Sequence, residues 1–440
     1  MELEFEKREI SFLKPLLQEV QTQEQTQEIR LSDGMPDLGR VLGTWGQVIL
    51  RSKEWRGDRV SIAGGIMAFV LYLPEDGSEA RTLESWIPFQ MKWDLPEGQR
   101  DGELRIQALM RFLDARVVSA RKIMLRCGIS AMVQAYARET AWIPVPGELP
   151  EEIQLLKKRY PMGILKIAGE KHFQLEEELS MPPSASDIKK LVSYTLEPQV
   201  SECRVSSGRL VFRGNALIHV VYLSEEGMLE SKDLEVGFSQ FAEPEGELEQ
   251  DARCGLCMGV TAMELDPDPE GKLHLKAGLL AQYLLEHREM VEVVEDAYCP
   301  RREVALKREE LELPQILDQQ REVIPVRQTI RQESSKIADV TYLPDFPVRH
   351  RGDGIQLELP GQFQVLWYDK EGNLQSSTAR TEENWDAPAG ENVRINARVF
   401  PGASPMASPG SGIELKGETV LDVTACSDSG LPMVDRKSVV

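Results

Sequence analysis

VSIAGGIMAFVLYLPEDG (residues 60–77) carries an apolar or small residue at every second position from Val60 to Tyr72 and then closes on an acidic turn ending in glycine. The same design returns as LVFRGNALIHVVYLSEEG (210–227) and IQLELPGQFQVLWYDKEG (355–372). Aligned on their terminal glycines, Gly77, Gly227 and Gly372, the copies are offset by 150 and then 145 residues without an internal gap. Period two over this length predicts a β-strand with one face toward a core. Val60, Ile62, Ile66, Ala68, Val70 and Tyr72 form that face in the first copy, and Leu210, Phe212, Ala216, Ile218, Val220 and Tyr222 in the second. Gly64, Gly214 and Gly361, near the middle of each run, predict a bend or bulge.

PEDG, SEEG and DKEG are hairpin turns in which the last glycine supplies a positive φ. Arg-Gly-Asp precedes the strand twice, as Arg56-Gly57-Asp58 and Arg351-Gly352-Asp353. The second copy has Ser206-Ser207-Gly208 there, so the position calls for a turn-former rather than for a ligand tripeptide. Further strands are expected around 103–112, 121–135, 252–263, 272–285, 393–399 and 413–425.

The fold class is therefore mainly β: three tandem sandwich- or barrel-like repeats with a few short helices. The best helix is LPEEIQLLKKRY (149–160), with acids early and bases late as the helix dipole favours. Single turns are expected at 37–42 and 187–192. The organisation reads as an N-terminal arm (1–24), repeats over 25–165, 166–315 and a diverged 316–427, and a tail (428–440).

With 51 basic against 72 acidic residues the net charge is −21, which repels phosphate backbones and argues against nucleic acid. No signal peptide opens the chain, and no apolar run is long enough for a membrane span. Six scattered cysteines, Cys127, Cys203, Cys254, Cys257, Cys299 and Cys426, suit a reduced, intracellular protein. Cys254 and Cys257 form a lone CxxC without the second pair a zinc site needs, and read as core or edge cysteines. Residues 266–271 (DPDPEG) imitate the opening of a calcium loop, but the twelfth position is Ala277, so they read as a turn. His172, His219, His274, His287 and His350 accompany no catalytic motif, and His219 and His274 read as core or edge residues. No catalytic, cofactor-binding or metal residue is assigned, no cofactor is expected, and the protein-binding residues are unknown at this level.

LSDGMPDLGRVL (31–42), the 60–77 strand, WIPFQ (86–90) and DARVVSARKIMLRCGI (114–129) together resemble the SPOCS domain of spore-coat assembly proteins from endospore-forming Clostridia and their relatives. EKHFQLEEELSMPPSASDIKKLV (170–192), VVYLSEEG and VGFSQF carry the resemblance into the second repeat. The third keeps QVLWYDKEG but has RTEENW (380–385) in place of the aromatic segment. The resemblance implies a non-enzymatic scaffold at the forespore surface in the mother-cell cytoplasm, binding other spore-coat or coat-basement proteins, with homo-oligomerisation left open. The best-known member carries a C-terminal LysM module that contacts the coat-basement ATPase. No such pattern follows the third repeat here, so that partnership is not carried over. Tandem units would give avidity, and exposed strand edges a docking mode, with the first two repeats expected to carry it. Two other readings are an exported cell-surface adhesive protein using its Arg-Gly-Asp loops, and an enzyme whose site has no motif.

Overall fold

The computed structural model describes residues 5–96, 101–146, 152–268, 271–301, 305, 307–351, 355–387, 393–410, 412–427 and 430–434. The first segment of the chain contains β1 (Phe5–Arg30), β2 (Leu38–Arg56), β3 (Arg59–Pro74), β4 (Arg81–Asp94), β5 (Glu103–Ser119) and β6 (Lys122–Pro146). The second contains β7 (Gln154–Leu179), β8 (Ile188–Ser206), β9 (Arg209–Ser224), β10 (Leu229–Ala242), β11 (Arg253–Pro267) and β12 (Leu273–Tyr298). The third contains β13 (Arg308–Leu311), β14 (Gln315–Ile330), β15 (Lys336–Pro344), β16 (Val348–Arg351), β17 (Ile355–Tyr368), β18 (Leu374–Ala387), β19 (Val393–Pro401), β20 (Met406–Ser408), β21 (Ile413–Ser427) and β22 (Leu431–Val434).

One antiparallel ladder pairs in the order β2-β3-β4, and its counterparts are β8-β9-β10 and β15-β17-β18, the last with β16 also on β17. The other ladder is β1-β6-β5, with counterparts β7-β12-β11 and β14-β21-β19; β20 pairs with β21, and β13 with β22. The strands expected from the period-two pattern are all present, and several run well beyond the expected limits. Residues 5–24, read as an arm, belong to β1, which pairs with β6 from Phe5↔Pro146 to Arg30↔Lys122. Residues 165 and 166 lie inside β7.

No helix occurs among the described residues. Residues 38–42 open β2 and 188–192 open β8, where turns of helix were expected. Residues 149–151 lie outside the described set, and 154–160 open β7. The basic run that suggested a helix C-terminus finds its acids across the ladder instead. Arg159 pairs with Glu292 at 2.8 Å and Lys158 with Glu295 at 3.4 Å, both on β12. Tertiary pairing here overrides a weak local propensity.

The hairpin glycines Gly77, Gly227 and Gly372 have φ of 70°, 79° and 82°. Their N–H groups donate to Pro74, Ser224 and Asp369, closing each turn. Gly57 turns β2 into β3, and Ser207 with Gly208 turns β8 into β9, with φ of 62°, 51° and 72°. Gly352 and Asp353 of the other Arg-Gly-Asp lie outside the described residues.

Gly64 and Gly214 mark a bulge, but on the neighbouring strand, whereas Gly361 keeps unshifted register with Pro344 and Thr381. The β2–β3 register slips between Leu50 and Ser52, opposite Gly64, and the β8–β9 register slips between Val200 and Glu202, opposite Gly214. On the other side Gly64 is the ladder partner of Phe89, and Gly214 of Phe238. The aromatic ring covers the position where a side chain is missing.

The predicted core face is buried throughout β3 and β9. The other face of β3 differs from the one-sided expectation. Met67, Phe69 and Leu71 are also buried, and they pack into the core of the second segment, with Phe69 5.0 Å from the Tyr194 ring. A separate cluster joins all three segments at the far ends of the long strands: Ile10, Ile143, Met162, Val291, Leu311 and Leu431.

Candidate functional site

Corresponding strands of the three segments face one central cavity of about 230 Å³. Its walls are residues 44–48 of β2, 106–110 of β5, 195–199 of β8, 258–260 of β11, 340–344 of β15 and 400–405 at the end of β19. Glutamines lock these walls together. Gln47 Oε1 accepts from Leu196 N at 2.8 Å, Gln199 Nε2 donates to Gly402 O at 2.8 Å, and Gln364 Nε2 donates to Thr44 O at 2.9 Å. First segment holds second, second holds third, and third holds first. Beside them Gln282 binds the β5 backbone twice, accepting from Ile106 N at 2.9 Å and donating to Ile106 O at 2.8 Å. Gln107 donates to Val399 O, and Arg398 Nη1 to Leu256 O at 3.0 Å. Amides paired in this way to backbone across the segments fix one relative placement of the strands.

At the cavity edge lies a buried charged network. His219 of β9 contacts Asp233 Oδ1 through Nδ1 at 2.7 Å and Asp339 Oδ1 through Nε2 at 2.8 Å. Trp45 Nε1 donates to the other Asp339 oxygen at 2.7 Å. Asp339 is 1% exposed and Trp45 3%. Burial alone would push the imidazole pKa down, but the Asp339 charge and hydrogen bonds to both carboxylates outweigh it and raise it to about 10. Burial would raise Asp339, and the imidazolium charge beside it holds it below the usual carboxylate range instead. The ring is thus an imidazolium at neutral pH with both nitrogens engaged, joining the second and third segments, and Trp45 on Asp339 brings in the first. His219 reads from sequence as one more residue in an apolar alternation; nothing local to it announces partners 14 and 120 residues away.

Glu197, on the cavity wall, has no ionic or hydrogen-bond partner among the described residues, and burial pushes its carboxyl up to about 8. A carboxyl raised in this way favours the folded state when protonated, so its contribution worsens as pH climbs from the unfolded value of about 4.3 through 8. Glu197→Gln is expected to stabilise the chain by about 2 kcal/mol at pH 8, allowing for hydration from the cavity, and to leave it unchanged near pH 4. Denaturant unfolding at the two pH values checks this; equal effects at both would refute it.

The remaining sequence candidates are dispersed. His172 is exposed beside Glu170 at 3.3 Å. His287 is buried beside Glu249 at 3.3 Å, and burial lowers its pKa. The side chain of His350 lies outside the described set. His274 is exposed and stands with Glu178 and Asp268, their ligand-type atoms within 4.8 Å of one another. The Lys272 ammonium already pairs with Glu178 there. The calcium-like stretch is a turn between β11 and β12, with Gly271 at a φ of 81° and its N–H donating to Asp268 O; residues 269 and 270 lie outside the described set.

The cysteine reading needs correction. Cys203 and Cys254 are joined by a disulfide with Cα atoms 6.1 Å apart, while Cys127, Cys257, Cys299 and Cys426 are free. Packing of β8 against β11 brings together two residues 51 positions apart, a neighbourhood that the CxxC spacing does not encode. Cys254 is therefore a cross-strand tether, and Cys257 alone fits the buried-core reading.

Three outer strands of the ladders form a matched set. β4, β10 and β18 are each 14 residues long, and among the described residues each pairs on one side only. Open edges are usually blunted by charge or proline. β4 is interrupted by Pro88, and β18 carries Arg380, Glu382, Glu383 and Asp386. The 236–242 stretch of β10 has neither. It ends beside Phe241, which is 45% exposed with the Arg209 guanidinium 4.8 Å and the Lys171 ammonium 5.8 Å from its ring centre.

The geometry defines an all-β protein of several small sheets, locked at its centre. One stretch takes the assignment further: residues 187–266, spanning β8 to β11, match the family model described as SipL, SPOCS domain. The matched stretch is 80 of the 440 residues, and it agrees with the resemblance read from the second repeat. Comparison with curated proteins and with solved structures gave no match.

Proposed function

We propose that the chain is a non-enzymatic scaffold of spore-coat assembly, made of three tandem copies of one unit and working in the mother cell by holding other coat proteins. The recurrence of two ladder types in the same order along the three segments supports the tandem reading. The observation that carries the binding role is the uncharged 236–242 stretch of β10, an outer strand inside the matched SPOCS stretch. An extended partner segment adding to that edge gains main-chain hydrogen bonds, with Phe241 as an apolar contact. Arg209 and Lys171 beside the ring favour a segment bearing acidic side chains.

The ladder supplies its own test. Gly237 pairs with Asn215 at the register position where Pro88 of β4 pairs with Gly65. Pro88 is accommodated without a bulge, so this position needs no N–H toward the central strand. Gly237→Pro should therefore leave stability within about 1 kcal/mol while removing an outward donor and stiffening the edge. Full-length protein used as bait in extracts of sporulating cells is expected to lose its partners by about tenfold with this substitution. A photo-crosslinker at Phe241 should join the same partners. Undiminished capture by the proline variant, with no crosslink at Phe241, refutes the edge as the docking site.

A further inference from the structure

A second cavity, of about 340 Å³, opens where the three segments meet below the glutamine locks. Four guanidinium groups line it: Arg105 from the first segment and Arg321, Arg394 and Arg398 from the third. Two carboxylates join them, Glu202 and Asp422. Both are already engaged. Asp422 meets Arg398 at 3.2 Å and Arg321 at 3.6 Å, and Glu202 pairs with Arg204 at 3.1 Å. Among the described residues, neither of these carboxylates stands at ion-pair distance from Arg105.

Arg105 is the decisive residue. It is 7% exposed, and its Nε and Nη2 have no hydrogen-bond partner. Its ladder neighbour is Gln134, 4% exposed and likewise left with an unpartnered Oε1. The Asp422 charge reaches this guanidinium, but two buried donors without acceptors are costly, and a planar guanidinium is best satisfied by the paired oxygens of a carboxylate or phosphate group. The volume suits a small molecule rather than a polymer.

We infer that this junction cavity binds a small oxyanion, with Arg105 and Arg398 at its floor and Arg394 and Arg321 at its exposed rim. The ligand supplies acceptors for the unpartnered guanidinium donors and bridges the first and third segments, so binding ties them together. Neither the docking edge nor the scaffold role enters this inference, and either can fail without the other.

The test is thermal unfolding and calorimetric titration of the full chain with inorganic phosphate and with citrate, against chloride at matched ionic strength. Saturable binding is expected, with a transition that rises by several degrees, as preferential binding to the folded state requires. Phosphate alone assigns the site to phosphate groups, citrate alone to carboxylates, and either supports it. Arg105→Gln should abolish binding. Arg394→Gln, at an exposed position that leaves the floor intact, should weaken it about tenfold or more and covers the case in which the buried variant does not fold. The inference is overturned if neither anion binds beyond chloride, or if the Arg394 variant binds as tightly as the parent.

Discussion

Replacing His219 with alanine is expected to cost about 3–5 kcal/mol at pH 7, the range for removing one partner of a buried ion pair. The loss is large because Asp339 stays behind, 1% exposed and charged, with only the Trp45 indole N–H and the neighbouring Ser231 hydroxyl to serve it. Removing both ends should be gentler than the sum of the parts, so His219→Ala with Asp339→Ala should show a coupling of at least about 1 kcal/mol. The pH profile gives an independent reading. The folded pKa of about 10 lies above the unfolded value of about 6.5, so the imidazolium contribution is complete below 6.5 and disappears as pH rises through 10. The two aspartates are depressed, and their contributions are present above about 3.9 and disappear as pH falls below it. Glu197 near 8 and the Cys127 thiol, raised by burial to about 11, also shape the profile in this window, so His219 is read from the difference between parent and alanine variant, which should shrink as pH rises toward 10. Guanidinium unfolding between pH 7 and 10 measures it; a single-variant cost below about 1 kcal/mol would contradict the network as a lock.

Gly214→Ala should be comparably damaging, about 4 kcal/mol, by overpacking a rigid site. A Cβ there would lie well inside van der Waals contact of Gln199 O and 2.7 Å from Phe238 Cζ. The first obstacle is backbone at a bulge, which cannot swing aside as a side-chain tip does. Gly64→Ala meets the equivalent obstacle, Ile49 O and Phe89. Gly259, in β11, has nothing within 4 Å of its virtual Cβ and serves as the control, where alanine should change stability by no more than about 0.5 kcal/mol. Equal unfolding midpoints for the Gly214 and Gly259 variants would exclude close approach as the reason for the glycine.

These two sites show what was legible in the sequence. Period two in 60–77 and its copies gave the core face, because alternation along one strand is a local signal. The turn glycines were readable because φ at Gly77, Gly227 and Gly372 is fixed by the turn itself. Gly64 and Gly214 announced an irregularity, but its place on the opposite strand depends on pairing. Residues 154–160 were misread because their charges fit a helix dipole as well as the acids of β12, and only the fold decides between them. His219, the Cys203–Cys254 bridge and the glutamine locks were hidden for one reason. Each joins residues between 14 and 320 positions apart, and a neutral or apolar-flanked residue carries no mark of a distant partner.

The cyclic order of the glutamine locks bears on how the chain is made. Gln47 meets its partner only when β8 has formed, and Thr44 receives Gln364 only when β17 is in place. During synthesis the N-terminal sheets therefore wait, with part of their inner face uncovered, for more than three hundred residues to leave the ribosome. Contacts of such long range make for slow folding and for exposure to aggregation on the way. A fragment cut after the first or second segment would keep that face open permanently, and its failure to bind or to localise would report a bare interior rather than a missing partner site.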